Sequence, residues 1–347
     1  MKLFDYTRPA SVAEAIAAWG PDAAYLGGGT NLVDLMKVGA AGPARLIDLT
    51  RLPGLNRIEV LSDGSTRIGA LVRNADLAHD EGFATAFPMV AEALLSGASG
   101  QLRNVATVGG NLMQASRCAY FQDPHSACNR REAGTGCAAI GGETHNHAVL
   151  GWSPGCIATN PSDFAVALAA LEALVEVQGP SGPREIAFAD FHLLPGDHPE
   201  KTTALQPGEL IVAVRLPADA AGFRQNARYL KIRERTSFAF ALVSAAAALR
   251  LEAGRIVEAR LALGAVAAKP WRTLAAEALM IGQPPSPALF ASAAVLALEG
   301  AAASGDNAYK IELARRTAAR ALSMAAAGTP ARMPALPASP FGDHAHV

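Results

Sequence analysis

Cys118, Cys128, Cys137 and Cys156 are the four cysteines of a 347-residue chain, and they fall in one stretch with 9, 8 and 18 residues between neighbours. Soft thiolates gathered this way suit an iron-sulfur cluster or a tetrahedral zinc, and reduced free thiols are the third reading. A disulfide framework is excluded on size, because such frameworks staple small secreted domains with thin cores and this chain is 50% hydrophobic. Pro124, Gly134, Gly136, Gly141 and Gly142 break regular structure through the stretch, which reads as a long loop able to fold round a bound group. His145 and His147 could join a mixed cysteine and histidine site. Four thiolates already complete one, so both histidines read as polar loop residues.

A second chemistry is carried by glycines. Gly27-Gly28-Gly29-Thr30-Asn31 lies between a strand predicted over 23–26 and a short helix over 32–37. Consecutive glycines let the backbone turn tightly while unpaired N–H groups of the loop and helix start face an anion. The spacing is not that of the Rossmann fingerprint, and no Gly-Lys-Ser/Thr follows. Taken alone, the run reads equally well as a strained turn with no ligand. Thr107-Val108-Gly109-Gly110-Asn111 adds a second small-residue turn with hydroxyl and amide donors. Two such loops favour a dinucleotide lying between lobes over two unrelated turns.

The elements that must position these loops follow from periodicity and capping. Ser11 and Glu14 have the form of a capping box opening an amphipathic helix. A strand over 46–49 completes a β-loop-α-β unit, and segments 57–60 and 67–70 read as a hairpin feeding a second lobe with a helical region over 76–99. Pro161-Ser162-Asp163 caps a helix, and strands follow over 175–178 and 211–216, with a surface loop over 195–207. Strands over 227–233, 239–251 and 257–263 precede helices over 272–281, 287–298 and 307–326, an α+β lobe in which Trp271 and the last helix are core. Length alone calls for two or three lobes. The predicted division is 1–60, 61–220 with a loop insertion over 115–157, 223–328, and a proline-rich tail over 329–347.

Bulk properties exclude several functions. A formal net charge of −1 and a pI near 6.7 argue against a nucleic-acid surface or a polybasic membrane anchor. No apolar run approaches the ~20 residues needed to span a bilayer. Asp5, Arg8 and Glu14 interrupt any Sec-type signal and no twin arginine stands at the amino end, so cytoplasmic folding is expected, with export only alongside a Tat-tagged partner. No nucleophile-base pairing or carboxylate pair stands out for hydrolysis, so no catalytic side chain is assigned.

Ala24-Tyr25-Leu26-Gly27-Gly28-Gly29-Thr30-Asn31-Leu32, Ala106-Thr107-Val108-Gly109-Gly110-Asn111-Leu112 and Ala158-Thr159-Asn160-Pro161-Ser162-Asp163 resemble the FAD-binding subunits of molybdenum hydroxylases, the xanthine dehydrogenase and aldehyde oxidoreductase group. The stretch from Arg117-Cys118 to Cys156 is similar to the insertion of the bacterial periplasmic-type aldehyde oxidoreductase FAD subunit. Tyr229-Leu230-Lys231-Ile232-Arg233, Phe240-Ala241-Leu242-Val243 and Gly264 to Arg272 resemble the carboxy-terminal lobe of the same subunit.

The resemblance implies an α+β fold: two FAD-cradling lobes of the PCMH/VAO type, then a carboxy-terminal α+β lobe with a three-stranded antiparallel sheet and helices. It implies FAD contacts from Tyr25, Leu26, Gly27, Gly28, Gly29, Thr30, Asn31 and Leu32, from Thr107, Gly109, Gly110 and Asn111, from Asp163 near the adenosine, from Ile211 through its backbone, and from Lys231. A [4Fe-4S] cluster on Cys118, Cys128, Cys137 and Cys156 is implied, with Arg117, Arg130 and Arg131 offsetting its negative charge. So are partners: a large subunit with molybdenum cofactor and a small one with [2Fe-2S] clusters, as a heterotrimer or a dimer of heterotrimers. Electrons would pass from these through FAD to an external acceptor. Read without the resemblance, Asp163 is a first-turn acid favoured by the helix dipole and Lys231 a strand residue sharing a face with Tyr229 and Arg233. A stand-alone flavin oxidoreductase and a zinc-stapled scaffold are the rival functions.

Overall fold

The computed structural model describes residues 1–331, so most of the proline-rich tail predicted over 329–347 lies outside the described residues. Its first sheet is parallel, with strand order β1-β3-β2 from β1 (Asp5–Thr7), β2 (Ala23–Leu26) and β3 (Arg45–Asp48). Helix α1 (Val12–Ala17) is capped by Ser11, whose Oγ accepts from Glu14 N at 3.2 Å, while Glu14 Oε2 accepts from Ala10 N at 2.9 Å, one residue before the cap. Helix α2 (Leu32–Val38) leaves the glycine loop and ends at Gly39 in the left-handed conformation.

The second sheet has five strands in the order β4-β5-β8-β6-β7, all antiparallel. Its strands are β4 (Ile58–Val60), β5 (Thr66–Gly69), β6 (Leu174–Gly179), β7 (Gly182–Ala187) and β8 (Leu210–Leu216). Between β5 and β6 run α3 (Asn74–His79), α4 (Glu81–Ala86), α5 (Pro88–Ser96), α6 (Gly100–Arg103), α7 (Val108–Leu112), α8 (Ala119–Gln122) and α9 (Asp163–Ala170), with α10 (Phe188–Phe191) after β7. Ile68, Leu77, Met89, Phe164, Phe191 and Leu216 are fully or almost fully buried in the shared core.

The third sheet corrects the expected three strands to four, ordered β12-β11-β10-β9 and antiparallel throughout. It comprises β9 (Ala227–Ile232), β10 (Val243–Glu252), β11 (Arg255–Gly264) and the two-residue edge β12 (Trp271–Arg272), backed by α11 (Leu274–Met280), α12 (Pro287–Ala297) and α13 (Tyr309–Ala326). So short an edge carries no periodicity to read. Strand β10 begins later than the expected 239, leaving 233–242 as a loop with Phe238 at φ +49°. Along β10, Ala245, Ala247 and Leu249 face the core of α12 and α13, whereas Ala246 and Ala248 belong to the core of the second sheet. Both faces are covered, which is why the strand is a continuous apolar run rather than an alternating one.

Candidate functional site

The two glycine loops lie edge to edge. A Cβ on Gly28 would sit 2.0 Å from the Val105 carbonyl oxygen, and one on Gly27 would sit 2.8 Å from Thr107 Oγ1. Only hydrogen at these positions lets the backbones meet this closely. Gly29 turns at φ +72°, a conformation costly for a residue with a side chain. In the second loop Thr107 caps α7 by accepting from Gly110 N at 3.2 Å, and Gly109 N donates to Ala70 O at 2.8 Å, which pins the turn to the second sheet.

A cavity of about 890 Å³ opens beside this junction. Thr30, Asn31, Gly110, Asn111, Asp163 and Lys231 line it. Asn111 Oδ1 accepts from Ser162 Oγ at 2.7 Å, tying the second loop to the start of α9. Asp163 accepts from Tyr229 Oη at 2.6 Å and from Lys231 Nζ at 2.8 Å, so the strand face shared by Tyr229 and Lys231 closes on the helix acid. Lys231 is buried, not a solvated strand residue, and also donates to Ser96 O at 3.1 Å. Burial, then the Asp163 charge, pushes the Tyr229 hydroxyl well above its ordinary range.

Tyr25, Leu26, Gly27, Gly28, Gly29, Leu32, Thr107, Gly109 and Ile211 do not line the cavity. Tyr25 Oη donates instead to Gly208 O at 2.9 Å, and Ile211 is buried in β8. Two residues the sequence reading passed over do line it, Asn74 and Arg103. Asn31 Nδ2, Asn74 Oδ1 and Arg103 Nε are buried with no hydrogen-bond partner. Arg103 is 4% exposed, and its Nη1 donates to the carbonyls of Leu95, Gly97 and Ala98. Unpaired polar atoms and an uncompensated guanidinium on one cavity wall fit a large polar anionic ligand such as FAD.

The four cysteines, all free thiols, line a second and much smaller cavity of about 10 Å³ together with Arg130. Cys128 and Cys137 face each other in an isolated antiparallel bridge. Among the described residues no three His, Cys, Asp or Glu side chains converge tightly enough to grip one metal ion. Burial pushes the Cys118 thiol up to about 11, against the opposing pull of the Phe121 and Tyr120 amides. Arg131 donates to the carbonyls of Tyr120, Phe121 and Ser126, while Arg117 stacks on Phe240 with 4.9 Å between guanidinium carbon and ring centre. His147 departs from its expected role as a polar loop residue. It is 8% exposed, its Nε2 lies 3.2 Å from Cys118 Sγ, and burial lowers its pKa. His145 stays half exposed and stacks on Tyr309.

Comparison with known proteins agrees with this geometry. Residues 2–219 match the family described as FAD binding domain in molybdopterin dehydrogenase, and residues 228–325 match the CO dehydrogenase flavoprotein C-terminal domain. The chain is 48% identical to the aldehyde oxidoreductase FAD-binding subunit PaoB of Escherichia coli (strain K12), over 94% of this chain and 99% of that one. It is 28% identical to the carbon monoxide dehydrogenase medium chain of Afipia carboxidovorans, over 93% and 97%. Among solved structures, the Cu,Mo-CO dehydrogenase in its cyanide-inactivated form superposes with a TM-score of 0.74 at 27% identity, covering 94% of this chain and 98% of that one. Quinoline 2-oxidoreductase from Pseudomonas putida 86 gives 0.71 at 27%, covering 94% and 99%. No helix among the described residues is long and apolar enough to cross a membrane. With both halves matched in order and the glycine loops meeting at one cavity, this chain belongs to the FAD-binding medium subunits of the molybdenum hydroxylases, a family of oxidoreductases.

Proposed function

We propose that this chain is the FAD- and [4Fe-4S]-bearing electron-transfer subunit of a molybdenum-dependent aldehyde oxidoreductase complex. It would relay electrons from a molybdenum-bearing large partner and a [2Fe-2S]-bearing small partner to an external acceptor, in a heterotrimer or a dimer of heterotrimers. The observation that carries the flavin reading is the cavity beside the abutting loops, with Asn31, Asn74 and Arg103 presenting unpartnered polar atoms there. Its lobes are assigned as 1–60, 61–220 with the insertion 115–157, and 223–328.

FAD supplies one- and two-electron chemistry and a [4Fe-4S] cluster one-electron transfer. This chain's residues bind and orient them. Backbone amides of Thr30 and Asn31 are assigned to the diphosphate, with Gly110, Asn111 and the Arg103 charge lining the same cavity. Asp163, fixed by Tyr229 and Lys231, is assigned to the nucleoside end, and the buried cavity walls limit water there. Leu26, Gly27, Gly28, Gly29, Leu32, Thr107 and Gly109 shape the loops from behind, and Tyr25 and Ile211 support them from β2 and β8.

The donor set supports the cluster reading: four free thiols line one enclosed space together with Arg130. A single tetrahedral zinc needs its sulfurs about 3.8 Å apart, given bonds of about 2.3 Å. In a cubane each thiolate binds a different iron, so the sulfurs need no such convergence. Flavin and metal analysis of the complex copurified with this chain tests both readings. About one FAD per chain and about four irons beyond those of the small partner's [2Fe-2S] clusters are expected, and a complex with no flavin, or with zinc in place of those additional irons, would defeat the corresponding reading.

A further inference from the structure

His147 stands apart from the residues already assigned. Its ring reaches the sulfur of Cys118 across 29 positions of sequence, and the segment carrying it is held by another part of the molecule. Its backbone N donates to Thr144 O at 2.9 Å. Its carbonyl accepts from Lys310 Nζ at 2.9 Å and from Asn307 Nδ2 at 3.0 Å. Lys310 and Asn307 are both fully buried at the start of α13, and Lys310 also donates to the carbonyls of Asn146 and Ala265. The imidazole is thus aimed by a rigid frame rather than by the cysteine loop itself.

We propose that His147 Nε2–H donates a hydrogen bond to the Cys118 sulfur and thereby sets the reduction potential of the iron-sulfur cluster bound there. The inference rests on the cluster reading. With Cys118 bound to iron as a thiolate, that sulfur carries no proton, so the one proton available to the 3.2 Å contact is on Nε2. Nitrogen-sulfur contacts of this length fall within hydrogen-bond range for the larger sulfur atom. A donor aimed at a ligand sulfur stabilises the form with more negative charge, which is the reduced one, and so raises the potential. His147 is a positioning and tuning residue in this account, and it is not a ligand.

The test uses the full chain copurified with its partners, by iron analysis and by a redox titration followed through the EPR signal of the reduced cluster. His147→Phe fills similar space without a donor. It should keep its iron and shift the midpoint to more negative potential, and His147→Gln, which retains an N–H, should recover part of that shift. An unmoved midpoint in iron-replete His147→Phe overturns the proposal. Loss of iron from both variants also overturns it, since His147 would then be a ligand. Because either variant could fail to fold, the unaltered protein labelled with 15N-histidine supplies a second readout. Pulsed EPR of its reduced cluster should show one weak imidazole nitrogen coupling and an exchangeable proton, and the absence of both refutes the hydrogen bond. Absence from the unaltered complex of the irons beyond those of the partner's [2Fe-2S] clusters would remove the cluster reading and this inference together, whereas those irons present with an unmoved midpoint would remove this inference alone.

Discussion

Replacing Gly28 with alanine puts the contact between the two glycine loops to direct trial. The added methyl carbon would stand 2.0 Å from Val105 O, 2.7 Å from Val105 C and 3.1 Å from Ala106 Cα, all backbone atoms that no rotamer change can withdraw. Restoring ordinary contact at 3.4 Å requires one loop to retreat by about 1.4 Å, the difference between those two distances. Overpacking of this kind costs about 1–3 kcal/mol. Spent on a ligand held by both loops, that weakens FAD binding by roughly 5- to 150-fold, at about 1.4 kcal/mol per tenfold. Spent on the fold, it lowers Tm by about 1–4 °C. The assay is the ratio of flavin to protein after extensive dialysis, with thermal unfolding followed in parallel. Gly222→Ala is the control, because its Cβ would meet nothing within 4 Å. Full flavin retention and an unshifted Tm in Gly28→Ala would refute the packing argument and the diphosphate assignment with it.

Cys128→Ser should lower the iron content and the solubility of the complex, and full iron occupancy in that variant would count against the thiolate assignment. Lys231→Met strands the buried Asp163 carboxylate, now 2.8 Å from the ammonium, and should cost about 3–5 kcal/mol in denaturant unfolding. Adding Asp163→Asn to that variant should recover more than half of the loss, and additive losses would refute the pairing. Burial pushes Lys310 from 10.5 down to about 7. Between those values the unfolded chain holds a proton that the folded chain lacks, so unfolding free energy should rise with pH by up to about 5 kcal/mol, the group's destabilisation being complete and its pH slope flat below about pH 7. Lys310→Met should flatten that rise, and an identical pH slope in both proteins would refute the burial argument.

Local signals explain what the sequence made legible. Ser11 with Glu14, and Ser162 before Asp163, announce helix starts because the partners lie within one turn, and both caps form. The glycine runs marked the meeting loops because close backbone approach demands small residues. Strands β1, β7 and β12 were not foreseen: β1 and β12 are too short for periodicity, and β7 carries polar residues on an exposed edge. Arg103 reads as a surface charge until the bend at Gly97 and Ala98 wraps carbonyls round it. The only available hint was an arginine beside Leu102 and two positions before Val105, just after Gly97 and Gly100. His147 reads as solvated for a similar reason, since Asn307 and Lys310, which bury it, lie about 160 positions away. Long-range burial of polar groups leaves no local periodicity to detect.

The anchoring of residues 146–148 by the start of α13 also bears on the order in which the molecule is made. Asn307 and Lys310 leave the ribosome some 150 residues after Cys156, a delay of roughly 8–30 s at ordinary bacterial and eukaryotic elongation rates. Throughout that interval the thiols have emerged while the frame that orders their surroundings has not. For the cluster proposed above, iron delivery would have an open window during synthesis before α13 docks, and a nascent chain stalled before residue 307 would present its cysteines to a scaffold protein without having to be unfolded first.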